Sequence, residues 1–181
     1  MEKTTFSEIP KKLPKYYTKQ EVLAVLDQAN HDMNKHGRRN YLIMFTLWCT
    51  GMRVSDLVNL KKNDIKDNVI VIRKGKGKKD RVIPISLELR NLLLTKADNL
   101  SGDSRVFPLT RHQINNIIKK YDKKLHAHMF RHSFAVHFLK SGGNIRSLQL
   151  ILGHKHLSTT QVYLILSGVD LADDYNKVSW T

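Results

Sequence analysis

The stretch LGHKHLSTTQVY, Leu152 to Tyr163, decides how the whole chain is read. A glycine closes an apolar helical pattern, and two histidines follow it. Ser158 and Gln161 then supply a capping signal for a last apolar segment, about Thr159 to Leu166, that carries one tyrosine. Tyr163 is either one more core aromatic, or a phenol beside which the histidines were placed for chemistry.

Composition narrows the choice. The chain has 181 residues, 41% of them hydrophobic, enough to bury the core of one domain. Its 31 Lys and Arg against 16 Asp and Glu leave a net charge of +15, with a pI near 10.0. Because this charge runs through the chain and is not gathered in a tail, nucleic acid is favoured over an anionic membrane or a merely solubilising surface. Cys49 is the sole cysteine, so a disulfide scaffold is excluded and a buried thiol is expected. The N-terminus lacks the apolar core of a secretion signal, and no apolar run reaches membrane-spanning length. A cytoplasmic location without membrane partners is expected.

Local signals give a mainly α chain with one small antiparallel β-hairpin. Residues 1–17, with Pro10, Pro14 and several lysines, read as an arm or interdomain linker. TKQE (Thr18 to Glu21) is a capping box opening the first helix. Asn40 to about Thr50 is apolar almost all round, which marks a buried helix, and Gly51 stops it. A short helix from Val54 to about Leu60 follows. Val69–Ile72 and Val82–Ile85 are β-branched runs on either side of a basic Gly-rich tip. Ser86 caps a helix to about Lys96, and TRHQ (Thr110 to Gln113) opens another. A helix from about Met129 to Lys140 ends at Gly142-Gly143, and Asn144 caps IRSLQLIL, which stops at Gly153.

Several of these segments carry residues suited to a phosphodiester. Arg53 stands at a helix start, with Asp56 three residues on. Lys76 lies at the hairpin tip. His128 and Arg131 share a helix face, and His154 follows a helix stop. Arginines bind non-bridging phosphate oxygens in a bidentate fashion, and developing negative charge needs fixed donors. Taken singly, each has a plainer reading: a surface arginine paired with Asp56, lysines guarding a sheet edge, a satisfied His–Arg pair, a core tyrosine. The histidine pairs HAH, HKH and His128/His132 also invite a metal. HExxH is absent, however, no cysteines cluster, and carboxylates near these histidines are lacking, so no metal site is expected.

Taken in order, TGMRVSDLVNL, GKGKKDRVIPI, HMFRHSFAVHFLKSG and LGHKHLSTTQVY resemble the catalytic domain of the tyrosine recombinases, the phage-integrase family. The resemblance runs from about Thr18 to Leu166; between Ser86 and Leu125 it is one of pattern only. It implies the DNA breaking-rejoining fold over residues 18–166 and a metal- and ATP-independent reaction through a covalent 3′-phosphotyrosine. The implied catalytic set is Arg53, Lys76, His128, Arg131, His154 and Tyr163, supported by Asp56. Arg53 and Arg131 would hold the scissile phosphate, and His154 would donate to it. His128 would accept the phenolic proton, and Lys76 would protonate the leaving 5′-oxygen. Lys74, Lys78, Lys79, Arg81, His132 and Lys155 are read as further DNA contacts. No cofactor is implied. The partner would be double-stranded DNA, with a monomer in solution and a homotetramer on DNA.

Family members usually carry a DNA-clamping domain ahead of the catalytic one. The chain is therefore read as the catalytic part of a longer protein or a minimal recombinase, and EIPKKLPKYY, linker-like, favours the first. Residues 167–181 form a tail that either exchanges a helix with a neighbouring protomer or folds back on its own domain. A type IB topoisomerase shares the nucleophile and arginines but not the His-x-x-Arg pair. A non-catalytic DNA-binding module would leave that residue set unexplained.

Overall fold

The computed structural model describes residues 13–73 and 80–168 of the chain. Among them are eight α-helices: α1 (Lys19–Asn30), α2 (Gly37–Thr50), α3 (Val54–Asn59), α4 (Leu87–Lys96), α5 (Arg111–Tyr121), α6 (Ala127–Lys140), α7 (Ile145–Leu152) and α8 (Ser158–Ser167). One antiparallel hairpin, β1 (Val69–Ile72) and β2 (Arg81–Pro84), lies between α3 and α4.

The start and stop signals act where the sequence places them. In TKQE, Thr18 N–H donates to the Glu21 carboxylate at 2.7 Å while Thr18 Oγ1 accepts from Glu21 N–H at 3.3 Å. TRHQ closes the same reciprocal pair. Ser86 and Asn144 cap α4 and α7 through their side chains. STTQ does not follow suit. Leu157 is already in the right-handed helical conformation, so α8 starts at Ser158 and no side chain caps it. Helix α6 begins at Ala127, two residues before the expected Met129, which brings His128 into its first turn.

Helix α2 is the buried centre anticipated from its all-round apolarity, and packs against α1, α4, α5 and α6. Helix α6 links two hydrophobic clusters. Its first half (Ala127, Met129, Phe130) joins the large core built on α1, α2, α4, α5 and the hairpin. Its second half (Ala135, Val136, Leu139) joins a smaller core with Leu148, Leu152 and Tyr163 from α7 and α8. The end of the N-terminal arm is tied to this frame: Tyr17 N–H donates to Ser133 Oγ at 2.8 Å and its hydroxyl to Asp122 at 2.6 Å. Residues 1–12 and 169–181, most of the expected arm and tail, lie outside the described residues.

Hairpin register matters for the site. Ile70 pairs with Ile83 and Ile72 with Arg81. Ile70, Ile72 and Ile83 are buried. Period-two alternation then turns Arg81 to the same inner face as Ile83, while Val82 points to solvent.

Phe130 is fully buried where α6 enters the large core. Phe130→Ala is expected to lower stability by about 3–5 kcal/mol; Thr110→Ala, which opens the α5 capping box, by about 1 kcal/mol. Urea unfolding should show both as lower midpoints with an unchanged slope.

Candidate active site

The site is assembled at the carboxyl end of α7. Gly153, at φ +66°, ends the helix in a left-handed turn, and His154 N–H closes that turn onto the Gln149 carbonyl at 3.1 Å. The carbonyls of Ile151 and Leu152 remain without helical partners, and three guanidinium groups converge on them. Arg81 Nε donates to Ile151 O at 2.9 Å. Arg131 Nη2 donates to Leu152 O at 2.8 Å, and Arg53 Nη1 donates to the same oxygen at 3.3 Å. The helix dipole places its negative end at this point, which favours the gathering of cations.

Arg131 is only 2% exposed. Its Nη1 donates to the Gly51 carbonyl at 2.8 Å, which ties it to the turn that ends α2. Gly51 is itself obligatory, since its φ is +58° and a Cβ there would run into the Phe134 ring. Arg131 Nη2 also lies 2.9 Å from His154 Nε2. A guanidinium can only donate, so Nε2 accepts; the ring proton then sits on Nδ1 and is donated to Thr160 Oγ1 at 2.9 Å. Thr160, to which the sequence reading gave no role, is buried and orients this histidine.

Arg53 is the N-terminal flanking residue of α3, and its N–H donates to Asp56 Oδ2 at 3.2 Å. The same carboxylate oxygen binds Arg81 Nη2 at 2.7 Å, in a pair whose side chains are 8% and 15% exposed. Arg81 was expected to contact DNA. Its inward register on β2 places the guanidinium between α3 and α7, on the Ile151 carbonyl and the Asp56 carboxylate. A Cβ on Gly153 would stand 2.8 Å from Arg81 Cδ, so this glycine is needed for packing as well as conformation.

Tyr163 is 3% exposed, with its ring in the smaller core. Its ring stacks against that of His154 at a centroid distance of 6.4 Å. Its hydroxyl lies 2.8 Å from His132 Nδ1. His128 is exposed in the first turn of α6, with its ring edge-on to His132 at 4.8 Å. Thus the hydroxyl bonds His132, which sequence reading had assigned to DNA, and not His128. Lys155 is exposed just past the α7 stop. Lys74, Lys76, Lys78 and Lys79 lie outside the described residues.

Burial and charge shift these groups. Burial, with the nearby Arg53 and Arg81, pushes the Arg131 guanidinium down to about 9, so it stays charged at neutral pH. Burial pushes both His132 and His154 down to about 4, the former helped by His128 and Arg131, the latter by Arg131 and Arg53. Both rings are therefore neutral at neutral pH. Burial raises the Tyr163 phenol above its usual range, while Arg131 and Arg53 pull it back.

These features match a known group. Residues 15–167 match the Phage integrase family, and the chain belongs to it. It is 39% identical to tyrosine recombinase XerA of Pyrococcus horikoshii over 97% of its own length and 65% of that protein's. The curated relatives it matches are longer: the chain spans 60–65% of the length of the first four. The fold superposes on the catalytic domain of bacteriophage HP1 integrase with a TM-score of 0.72 at 26% identity, over 91% of this chain and 95% of that one. It also superposes on the XerH site-specific recombinase bound to palindromic difH substrate, with a TM-score of 0.70 at 26% identity, over 91% of this chain and 53% of that one. Among the described residues, no helix is long and apolar enough to cross a membrane.

Two outcomes follow from the geometry. Asp56→Ala strands the buried Arg81 guanidinium, and denaturant unfolding should register a loss of about 3–5 kcal/mol. For pH, the unfolded chain takes up protons on its histidines near 6.5, whereas His132 and His154 in the fold resist protonation until about 4. The unfolded state therefore binds more protons in between, so stability should be full above about pH 6.5 and fall as pH drops towards 4. Unfolding midpoints across that window should fall less steeply in His154→Gln.

Proposed function

We propose that this chain is the catalytic part of a site-specific DNA recombinase that cleaves and rejoins strands through Tyr163. The phenolic oxygen attacks a backbone phosphorus, giving a 3′-phosphotyrosyl enzyme and a free 5′-hydroxyl. A 5′-hydroxyl from another strand reverses the step, so the bond energy is kept in the phosphotyrosine and ATP is not needed. Duplex DNA is the partner, bound by a monomeric chain that assembles as a tetramer on its sites; one structural relative is captured on its own DNA substrate.

One observation carries this reading: Arg53, Arg131 and His154 meet at the carboxyl end of α7, beside the ring of the sole tyrosine of α8. A phosphate entering there would draw the guanidinium groups off the backbone carbonyls and meet the charge it needs as negative charge builds on its oxygens. It would also replace His154 Nε2 as an acceptor for Arg131, freeing His154, once protonated beside the anion, to donate in turn. Asp56 holds the Arg53 backbone in place. His128 and Lys155, both exposed, face incoming DNA. Lys76, with Lys74, Lys78 and Lys79, belongs to the basic tip between β1 and β2, and in this scheme Lys76 protonates the leaving 5′-oxygen.

The test needs no knowledge of the target. A pool of nicked suicide duplexes of randomised sequence is incubated with the protein in EDTA and resolved on denaturing gels. A protein–DNA adduct should form with the wild type and vanish in Tyr163→Phe, which should still bind the recovered duplex. Arg131→Ala should slow adduct formation by about 10²–10³-fold. Absence of an adduct, or clean hydrolysis that requires a divalent metal, overturns the proposal.

A further inference from the structure

We propose that His132 is a catalytic residue, its Nδ1 taking the phenolic proton of Tyr163 as the hydroxyl attacks phosphorus. The inference rests on Tyr163 being the nucleophile, as proposed above, and adds the group that activates it.

Helix geometry supplies the first reason. On α6, Arg131 turns to the end of α7, and His132, one residue on, is rotated by about 100° towards α8. There its Nδ1 lies 2.8 Å from Tyr163 Oη, within the reach a general base requires. The second reason is exclusion. Tyr163 is 3% exposed, so bulk water does not compete for the proton, and His128 meets the His132 ring while standing in solvent itself. His154 has both ring nitrogens engaged, with Arg131 and with Thr160. His132 is thus the acceptor that the fold places at the hydroxyl.

The third reason is protonation state. Among the described residues, those that act on His132 are His128 and Arg131 from α6, His126 at its cap, His154, and Tyr163 from α8, with no carboxylate among them. This cationic, partly buried setting keeps the imidazole neutral, with a lone pair free at neutral pH. In the reaction the Tyr163 Oη–P bond forms and the P–O5′ bond breaks. The phenolic proton moves to Nδ1, and the 5′-oxygen is protonated by the donor named above. On rejoining, Tyr163 leaves as phenolate and recovers its proton from His132, so the cycle closes without a net proton or any co-reactant.

His132→Asn separates basicity from placement, because an Asn side-chain oxygen reaches close to the Nδ1 position and accepts a hydrogen bond but takes no proton. On a duplex recovered from the randomised pool, His132→Asn should form the adduct about 10²–10⁴-fold more slowly than wild type, and His128→Asn should lose less. The wild-type-to-variant ratio should shrink as pH rises towards the phenol's own ionisation, where the attacking oxygen no longer carries a proton for a base to take; a positioning role would leave it flat. Nitrogen-15 NMR on the unaltered chain should show the His132 proton on Nε2, a measurement that decides even if the variants unfold. A His132→Asn rate within a few-fold of wild type, a flat ratio, or a proton on Nδ1 overturns the inference while the nucleophile stands. A wild type that forms no adduct removes the nucleophile, and this inference with it.

Discussion

Two backbone oxygens at the carboxyl end of α7 organise the site. A helix leaves its last carbonyls unpaired, and the turn at Gly153 satisfies those of Gln149 and Leu150 while leaving those of Ile151 and Leu152 open. Guanidinium groups from α3, β2 and α6 fill them. Three like charges placed side by side repel. They are tolerated because each has a fixed acceptor, because the helix dipole adds negative potential, and because Asp56 neutralises one of them. The same contacts join the hairpin, the α2–α3 turn and α6 to α7, so the charge cluster and the packing of the domain depend on each other.

This arrangement explains why the site is built mostly from the ends of elements. Arg53 flanks α3, His154 follows α7, and Gly51 and Gly153 take left-handed conformations that only glycine adopts without strain. Termini carry the unpaired amide groups and short turns that bring charged side chains from different segments together. Arg131, His132 and Tyr163 are the exceptions, the last within α8 and the first two on the long α6 where both hydrophobic clusters brace it.

Much of this was legible in the sequence, and the reasons for the rest are specific. Capping boxes at Thr18 and Thr110, the glycine stops and the β-branched runs act locally, so a short window carries them. The inward place of Arg81 is missed when a basic residue near a basic turn is read by charge alone. Counting by twos from Ile83 puts it on the buried face, and that signal was available. STTQ failed for a different reason: Leu157 is already helical, so Ser158 falls inside α8 and not at its cap. His132 carried no local signal. The reach of its Nδ1 to Tyr163 depends on how α6 and α8 cross, which spacing along the chain does not encode.

The state of Tyr163 follows from competing terms whose balance shifts on binding. Desolvation holds the phenol in its neutral form, and the two arginines offset this only in part because backbone carbonyls already engage them. If Tyr163 is the nucleophile proposed above, the resting fold holds it inert without DNA: its proton has a partner, its ring is packed, and the charges that would stabilise a phenolate are occupied. In the proposed reaction, a phosphate takes up the guanidinium groups, and its negative charge also makes an imidazolium at His132 easier to sustain than in the free chain. The substrate therefore completes the electrostatics that the resting fold leaves unfinished. In that scheme cleavage is restricted to a bound backbone without any separate switch on the tyrosine itself.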